Sequence, residues 1–524
     1  MRRPLVIAAS LAAATALVLT GCSTGGGDST AAANGEPVDG GTLVYATDIQ
    51  PTAGGLDPYS SVAFANQNML VQIYETLLTK SDDGEIMPGL AESWEQVDDT
   101  TYTVTLREGV TFSDGSPLTA EDVVFSFDTM TTAPAVTATL LTGLAETTAI
   151  DEQTVQFTLS APNGTFLNVI AARGTAYIVN QAWYESTPAE ARQREALGTG
   201  PFVLDEWVDN VSLTLTKNEQ YWQEGLPHLD VLEFQFLPDE TARISALRQG
   251  AGVDAAWTRD AALVADLDGQ GFAFGENAST RGLNIYVNAQ SGPLADVRVR
   301  QAISLALDRQ AIIDLAAGGN GELSLTVPAG DPTAVLPDED TPLYTQDIDA
   351  AKKLLAEAGQ ESPTISLTYA TDASLAIDVP AYEVMKEQLA EAGITLELNG
   401  TTWTEVVGAV VSGGYTDLIA VPGYYQPDMT AYFNFFLVPG AATNKVTAEG
   451  DPGVAELAEL RGVIEPAERA EKLEALEDLV ADQAYVYTLF AQAQRFEAWS
   501  ERVQGYVADP FTYRWNLVNA WLAD

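Results

Sequence analysis

The sequence predicts an α/β protein built from more than one folded unit, and three observations carry that reading. The chain has 524 residues, beyond the size at which one hydrophobic core stops growing and chains divide into domains. Its composition, 46% hydrophobic and 19% charged, is that of an ordinary globular protein. From residue 349 to residue 421, helical and strand patterns alternate, which argues for a sheet with helices on both faces.

The first segment reads as an address. Met1-Arg2-Arg3 is a short basic start, and the run from Leu5 to Leu19 is apolar except for Ser10 and Thr15. A membrane-spanning helix needs roughly 20 apolar residues, so this run is better read as the apolar region of a signal peptide, residues 1–21. It ends Leu19-Thr20-Gly21-Cys22, which resembles the bacterial lipobox and makes Cys22 the expected lipidation site. Two buried acyl chains anchor a protein stably where one is marginal. Residues 22–40 are small, polar and glycine-rich, without period. They cannot bury enough surface to order themselves and are expected to act as a flexible tether.

The folded part begins near Gly41. Residues 41–48 alternate as a strand, with Leu43 and Tyr45 on one face. Helical spacing follows over 66–78 through Met69, Ile73 and Leu77. Tyr102, Val104 and Leu106 alternate on a strand, Asp114-Gly115 marks a turn, and Thr119 with Asp122 forms a capping-box start for a helix. Another strand covers 154–159, and two strands joined at Asp209-Asn210 cover 198–217. A strand from Asp230, a helix over 241–249 and a short strand come next, with Arg243 and Arg248 expected to face solvent. A strand over 282–288 leads into a helix over 296–316, with Arg298 and Arg309 off its apolar stripe of Ile303, Ala306 and Leu307. Helices over 349–358, 381–392 and 405–412 alternate with strands over 364–369, 395–398 and 416–421. A charged helix covers 465–482, and strands over 484–491 and 495–499 close the chain. The stretch from Asp417 to Phe436, DLIAVPGYYQPDMTAYFNFF, reads as half strand and half loop.

Composition excludes several functions. The net charge of −49, from 74 acids against 25 bases, repels nucleic acid and anionic lipid. With one cysteine and one histidine, the chain has no internal disulfide and no Cys/His zinc site. No G-x-S-x-G and no P-loop occurs, and no metal-ligand spacing stands out. His228 lies in a connection before a strand and reads as an ordinary loop histidine. Paired carboxylates are the one catalytic device available in quantity, but with 74 acids such pairs arise by chance at any spacing. An exported carboxylate hydrolase is therefore kept only as an alternative, beside a non-transport sensor.

Four blocks are together specific: AESWEQVDDTTYTVTLREGVTFSDGSPLTAEDVVFSF at 91–127, GTGPFVLDEW and LTLTKNEQYW within 198–222, LEFQFLPDETARISALRQGAGVDAAW at 232–257, and DVRVRQAISLALDRQAII at 296–313. In content and order they resemble the family 5 extracytoplasmic solute-binding proteins, the peptide- and nickel-type receptors of ABC importers. The resemblance implies a two-lobed, periplasmic-binding-protein-like (type II) fold with an extra subdomain in lobe I. Lobe I would comprise residues 41–283, including the subdomain at about 60–195, with a C-terminal return over 483–524. Lobe II would be 284–482, and the chain would cross near 281–284 and near 485–490. It further implies hinge closure on a solute in the cleft and delivery to a permease with its ATPase subunits. No catalysis, cofactor or metal is implied, and the receptor is expected to be a monomer, extracytoplasmic and anchored to the membrane through its lipid.

In peptide-binding members, the stretch matching 417–436 supplies an aspartate for the ligand's α-ammonium; aligned on Pro427, that position holds Gly423. Dipeptide-type members also carry an arginine after the strand matching 364–369, and none stands there in this sequence. What remains is aromatic: Trp403, Tyr424 and Tyr425, rings suited to stacking on planar groups or covering an apolar chain. On lobe I the cleft edge is expected at Thr47, Asp48 and Gln50, with Asp48 as the acid replacing the missing one. Arg281, at the first crossover, is the nearest candidate cation. A peptide and a non-peptide solute, such as an oligosaccharide or metallophore, both remain open at this point.

Overall fold

The computed structural model describes residues 35–48, 50–52, 54–60, 64–81, 85–132, 141, 143–172, 176–276, 281–329, 335–337, 341, 343–372, 378–424, 429–439, 444–448, 450–492, 496–508 and 517–523. The expected signal peptide, most of the tether, Cys22 and Tyr425 lie outside the described residues.

Two large sheets organise the chain. The first has seven strands, ordered Phe272–Glu276, Phe496–Ser500, Ala255–Thr258, Thr42–Thr47, Val231–Phe236, Ser212–Lys217 and Phe202–Val208. Thr42–Thr47 runs parallel to both Val231–Phe236 and Ala255–Thr258. Its alternation is the one the sequence shows: Leu43 and Tyr45 are fully buried. The second sheet is built on Arg281–Val287, which pairs antiparallel with Leu418–Ala420, Gly423–Tyr424 and Val486–Gln492. Thr364–Ala370 continues it, parallel to Leu418–Ala420 and to Thr395–Thr401. A separate four-stranded antiparallel sheet, Ala91–Asp98, Thr101–Leu106, Thr154–Leu159 and Leu144–Ala149, forms the extra subdomain. Its Tyr102, Phe157 and Phe166 rings join the core of the first sheet, whereas the second sheet is packed between two other apolar clusters.

The chain passes between the large sheets twice, between Glu276 and Arg281 and between Gln492 and Phe496. Arg281–Val287 and Val486–Gln492 are each committed to the second sheet along their whole length, through hydrogen bonds to each other that no local pattern encodes.

Several expectations are corrected by tertiary partners. The helix expected over 66–78 stops at Ile73, because Thr76 bridges to Tyr177 and Leu78–Lys80 pairs with Ile86–Pro88. The helix expected over 296–316 is two helices, Val297–Ala306 and Arg309–Ala316. Asp308 breaks it: its carboxylate accepts the Ala311 N–H at 2.9 Å, and the amide of Gln388 accepts its N–H and donates to its carbonyl, each at 3.1 Å. Arg309 is buried, donating to the Thr488 carbonyl and to Ser304. Arg243 is 0% exposed rather than solvent-facing. Its guanidinium donates to the carbonyls of Leu237, Pro238 and Trp257 at 2.6, 3.0 and 3.0 Å, so the charge is solvated by main chain instead of water. The second half of the aromatic stretch is a helix, Met429–Leu437, with Tyr432, Phe433 and Phe436 buried. Those rings are core, where the sequence reads as loop.

Candidate solute-binding cleft

In open α/β sheets, ligands bind beyond the carboxyl ends of the parallel strands. On the first sheet those ends are Thr47, Phe236 and Thr258. Thr47 is buried, and its hydroxyl accepts from the Trp257 indole at 3.2 Å. Asp48 follows it, with a carboxylate oxygen 3.8 Å from the Arg259 guanidinium; the two side chains are 27% and 31% exposed. Arg259 also lies 3.5 Å from Glu240. Glu240 accepts the Arg259 N–H at 3.0 Å and the Thr258 hydroxyl. The Trp257 ring carries Arg243 and Arg259, 4.9 and 4.7 Å from its centroid. Burial pushes the Glu240 carboxyl up, but Thr258, the Arg259 N–H and the two guanidinium groups outweigh it and hold the carboxyl below its usual range. The edge is thus balanced, two acids against two arginines. Gln50 is tied elsewhere: its carbonyl oxygen accepts from the Asn210 N–H at 2.7 Å and from the Trp207 indole at 3.4 Å. It pins the turn between Phe202–Val208 and Ser212–Lys217, where Asn210 takes a positive φ of 58°.

On the second sheet, Gly423–Tyr424 pairs with Gly282 and Arg281 and is an edge strand, with no further strand beside it among the described residues. Arg281 is buried and paired with Asp378, the residue that opens the helix Val379–Glu391. Asp378 makes no capping hydrogen bond to that helix; its carboxylate is turned to the arginine instead. Trp403 begins the helix Trp403–Ser412, behind a capping box of Thr402 and Glu405. Its N–H is accepted by Asp372, and its side chain packs partly buried against the second lobe's core.

Of the residues singled out from the sequence, the fold thus brings Thr47 and Asp48 to one lobe's edge, and Arg281, Gly423, Tyr424 and Trp403 to the other lobe. Gln50 is engaged with the hairpin. Glu240, Arg259 and Asp378 were missed. The signal for Glu240 and Arg259 was their place at strand ends, in PDE and WTRD; Asp378, in IDVP, reads only as a helix start. Among the described residues, no group of three or more His, Cys, Asp or Glu is placed to hold a metal ion, and no helix is long and apolar enough to cross a membrane.

Two sheet-centred lobes, joined by two passages and bearing polar and aromatic groups at their strand ends, define a two-lobed, periplasmic-binding-protein-like fold. The chain belongs to the bacterial extracellular solute-binding proteins, family 5, whose middle-region model matches residues 85–444. It is 29% identical over 547 residues to heme-binding protein A of Haemophilus influenzae, covering 96% of this chain and 97% of that one. It is 27% identical over 412 residues to the periplasmic murein peptide-binding protein MppA of Escherichia coli, covering 72% and 75%. The same fold occurs in the ABC transporter substrate-binding protein CtaP of Listeria monocytogenes (TM-score 0.80, 23% identity, 93% and 100% covered). It occurs again in the agropinic acid complex of AgaA from A. tumefaciens R10 (TM-score 0.76, 24% identity, 92% and 99% covered). The protein is therefore an extracytoplasmic receptor that hands a small solute to ABC permease and ATPase components through hinge closure.

Proposed function

We propose that the solute is a short peptide or peptide-like molecule and that the receptor is held at the outer face of the cell membrane by a lipid on Cys22. The observation that carries the peptide reading is the edge strand Gly423–Tyr424, hydrogen-bonded to Arg281–Val287 on one side only among the described residues. An extended peptide adds to such an edge through main-chain hydrogen bonds, which need no charged anchor. Tyr424, Tyr425 and Trp403 then supply aromatic contact, and Thr47 and Asp48 close from the opposite lobe. Relatives named for murein peptide, dipeptide and glutathione binding agree with this class.

A second reading, a non-peptide solute, is favoured by the pairing of charges within each lobe: Asp48 with Arg259, and Arg281 with Asp378. A site whose charges are already balanced recognises a neutral or planar ligand. Relatives named for heme and agropinic acid point the same way. Native mass spectrometry of the Cys22→Ser protein distinguishes the two. Retained masses that form a series of short peptides support the peptide reading, and a single non-peptide mass overturns it. For the anchor, wild-type protein should sediment with membranes and Cys22→Ser should not; equal sedimentation removes the lipid.

A further inference from the structure

Gly164 lies between the subdomain strand Thr154–Leu159 and the helix Phe166–Ala171. Its N–H donates to the carbonyl of Arg461, 3.1 Å away, at the end of the helix Pro452–Gly462 in the other lobe. The approach is close enough to exclude any side chain. A Cβ at Gly164 would stand 1.9 Å from the Val463 carbonyl oxygen and 2.8 Å from the Arg469 guanidinium.

Both faces of this contact are built. On the subdomain side, Asn163 accepts the Thr165 N–H and hydroxyl at 2.9 and 2.8 Å, and Phe166 is anchored in the first lobe's core. On the other side, Arg469 donates to the carbonyls of Leu460 and Val463 at 3.0 and 3.4 Å, which shapes the turn that receives Gly164. Leu460 and Leu473 bury that turn's helices in the second lobe's core. The same two arginines reach the helix Met429–Leu437: Arg469 donates to Thr430, and Arg461 to Asn434 at 2.8 Å. That helix begins five residues after Tyr424 of the cleft wall. The contact between lobes and the wall of the cleft therefore share one scaffold.

We infer that Gly164 is a latch for the closed conformation, docking the subdomain on the Arg461–Val463 turn, and that Arg469 couples the latch to the cleft wall. One main-chain hydrogen bond biases the open–closed equilibrium by about three- to tenfold. The latch thus favours closure without locking it, as a receptor that must release its solute requires.

The test is a distance measurement that needs no ligand. Cys22→Ser removes the only cysteine. Glu146→Cys and Glu471→Cys, both at exposed positions, then carry a donor and an acceptor dye on the full chain. Gly164→Ala and Gly164→Val should lower the transfer efficiency, with the closed population falling about three- to tenfold, while the melting temperature stays within a few degrees. Efficiency equal to that of the parent in both variants overturns the latch. Should either glycine variant fail to fold, Arg469→Lys decides. It keeps the charge but loses the fork that holds both carbonyls, so lowered efficiency supports the latch and unchanged efficiency overturns it.

Discussion

Arg281 and Asp378, 97 residues apart in sequence, form an ion pair whose side chains are only 5% and 3% exposed. Arg281 is the first described residue after the chain enters the second lobe, and Asp378 opens a helix of that lobe. The pair joins the hinge end of the central strand to the neighbouring helix, beside the edge strand of the cleft. Taking both charges out of water is costly, and each is tolerated there because of the other.

Asp378→Asn should therefore destabilise the protein by about 3–5 kcal/mol, since it leaves the guanidinium buried without its counter-ion. The double variant Arg281→Gln with Asp378→Asn should recover most of that loss. Urea unfolding followed by tryptophan fluorescence reads both. Additive losses in the double variant would refute the pairing as the source.

Arg243 makes a second prediction. Arg243→Met keeps the bulk but strips the guanidinium from one buried and two partly buried carbonyls, so a loss of about 3 kcal/mol is expected. Arg248→Met, on the exposed side of the same helix, should change stability by less than about 0.5 kcal/mol. Paired thermal melts compare the two.

Asp308 divides what the sequence offers as one helix. Asp308→Ala should cost about 1 kcal/mol through the lost N-cap, without loss of helical signal in the far-ultraviolet spectrum. A cost near zero would mean that the Gln388 amide alone sets the break.

The Glu240 carboxyl gives the pH dependence. Because the fold holds it below its ordinary value of 4.5, the unfolded chain binds a proton that the folded one does not. Its contribution is present above pH 4.5 and is lost as the pH falls through the lowered folded value. Wild type and Glu240→Gln should thus differ in melting temperature at pH 6, with the gap closing progressively below pH 4.5. A gap independent of pH would show that the charge at this position is not what stabilises the lobe edge.

The extent to which sequence alone sufficed differs between elements and site. Alternation placed Thr42–Thr47 and Thr101–Leu106 correctly, because a period of two along the chain is a local signal, kept in full by the burial of Tyr102, Val104 and Leu106. Turn and cap chemistry is equally local: Asp209-Asn210 turns the hairpin, and Thr119 exchanges hydrogen bonds with Asp122 as a capping box, at 3.0 Å to its N–H and 3.4 Å in return. The ordered blocks carried the family as well, and with it the two-lobed fold. Burial of arginine was not legible. Arg243 and Arg309 look like surface charges until backbone carbonyls from strand ends and neighbouring helices converge on them. The site stayed half hidden for the same reason. Thr47, Asp48 and Arg281 stood out as strand-end residues, but the partners that neutralise Asp48 and Arg281 arrive from remote segments. Local periodicity determined which segments are strands and helices. Only the tertiary structure decided which charges meet, because an ion pair depends on distance in space, and distance along the chain carries almost no record of it.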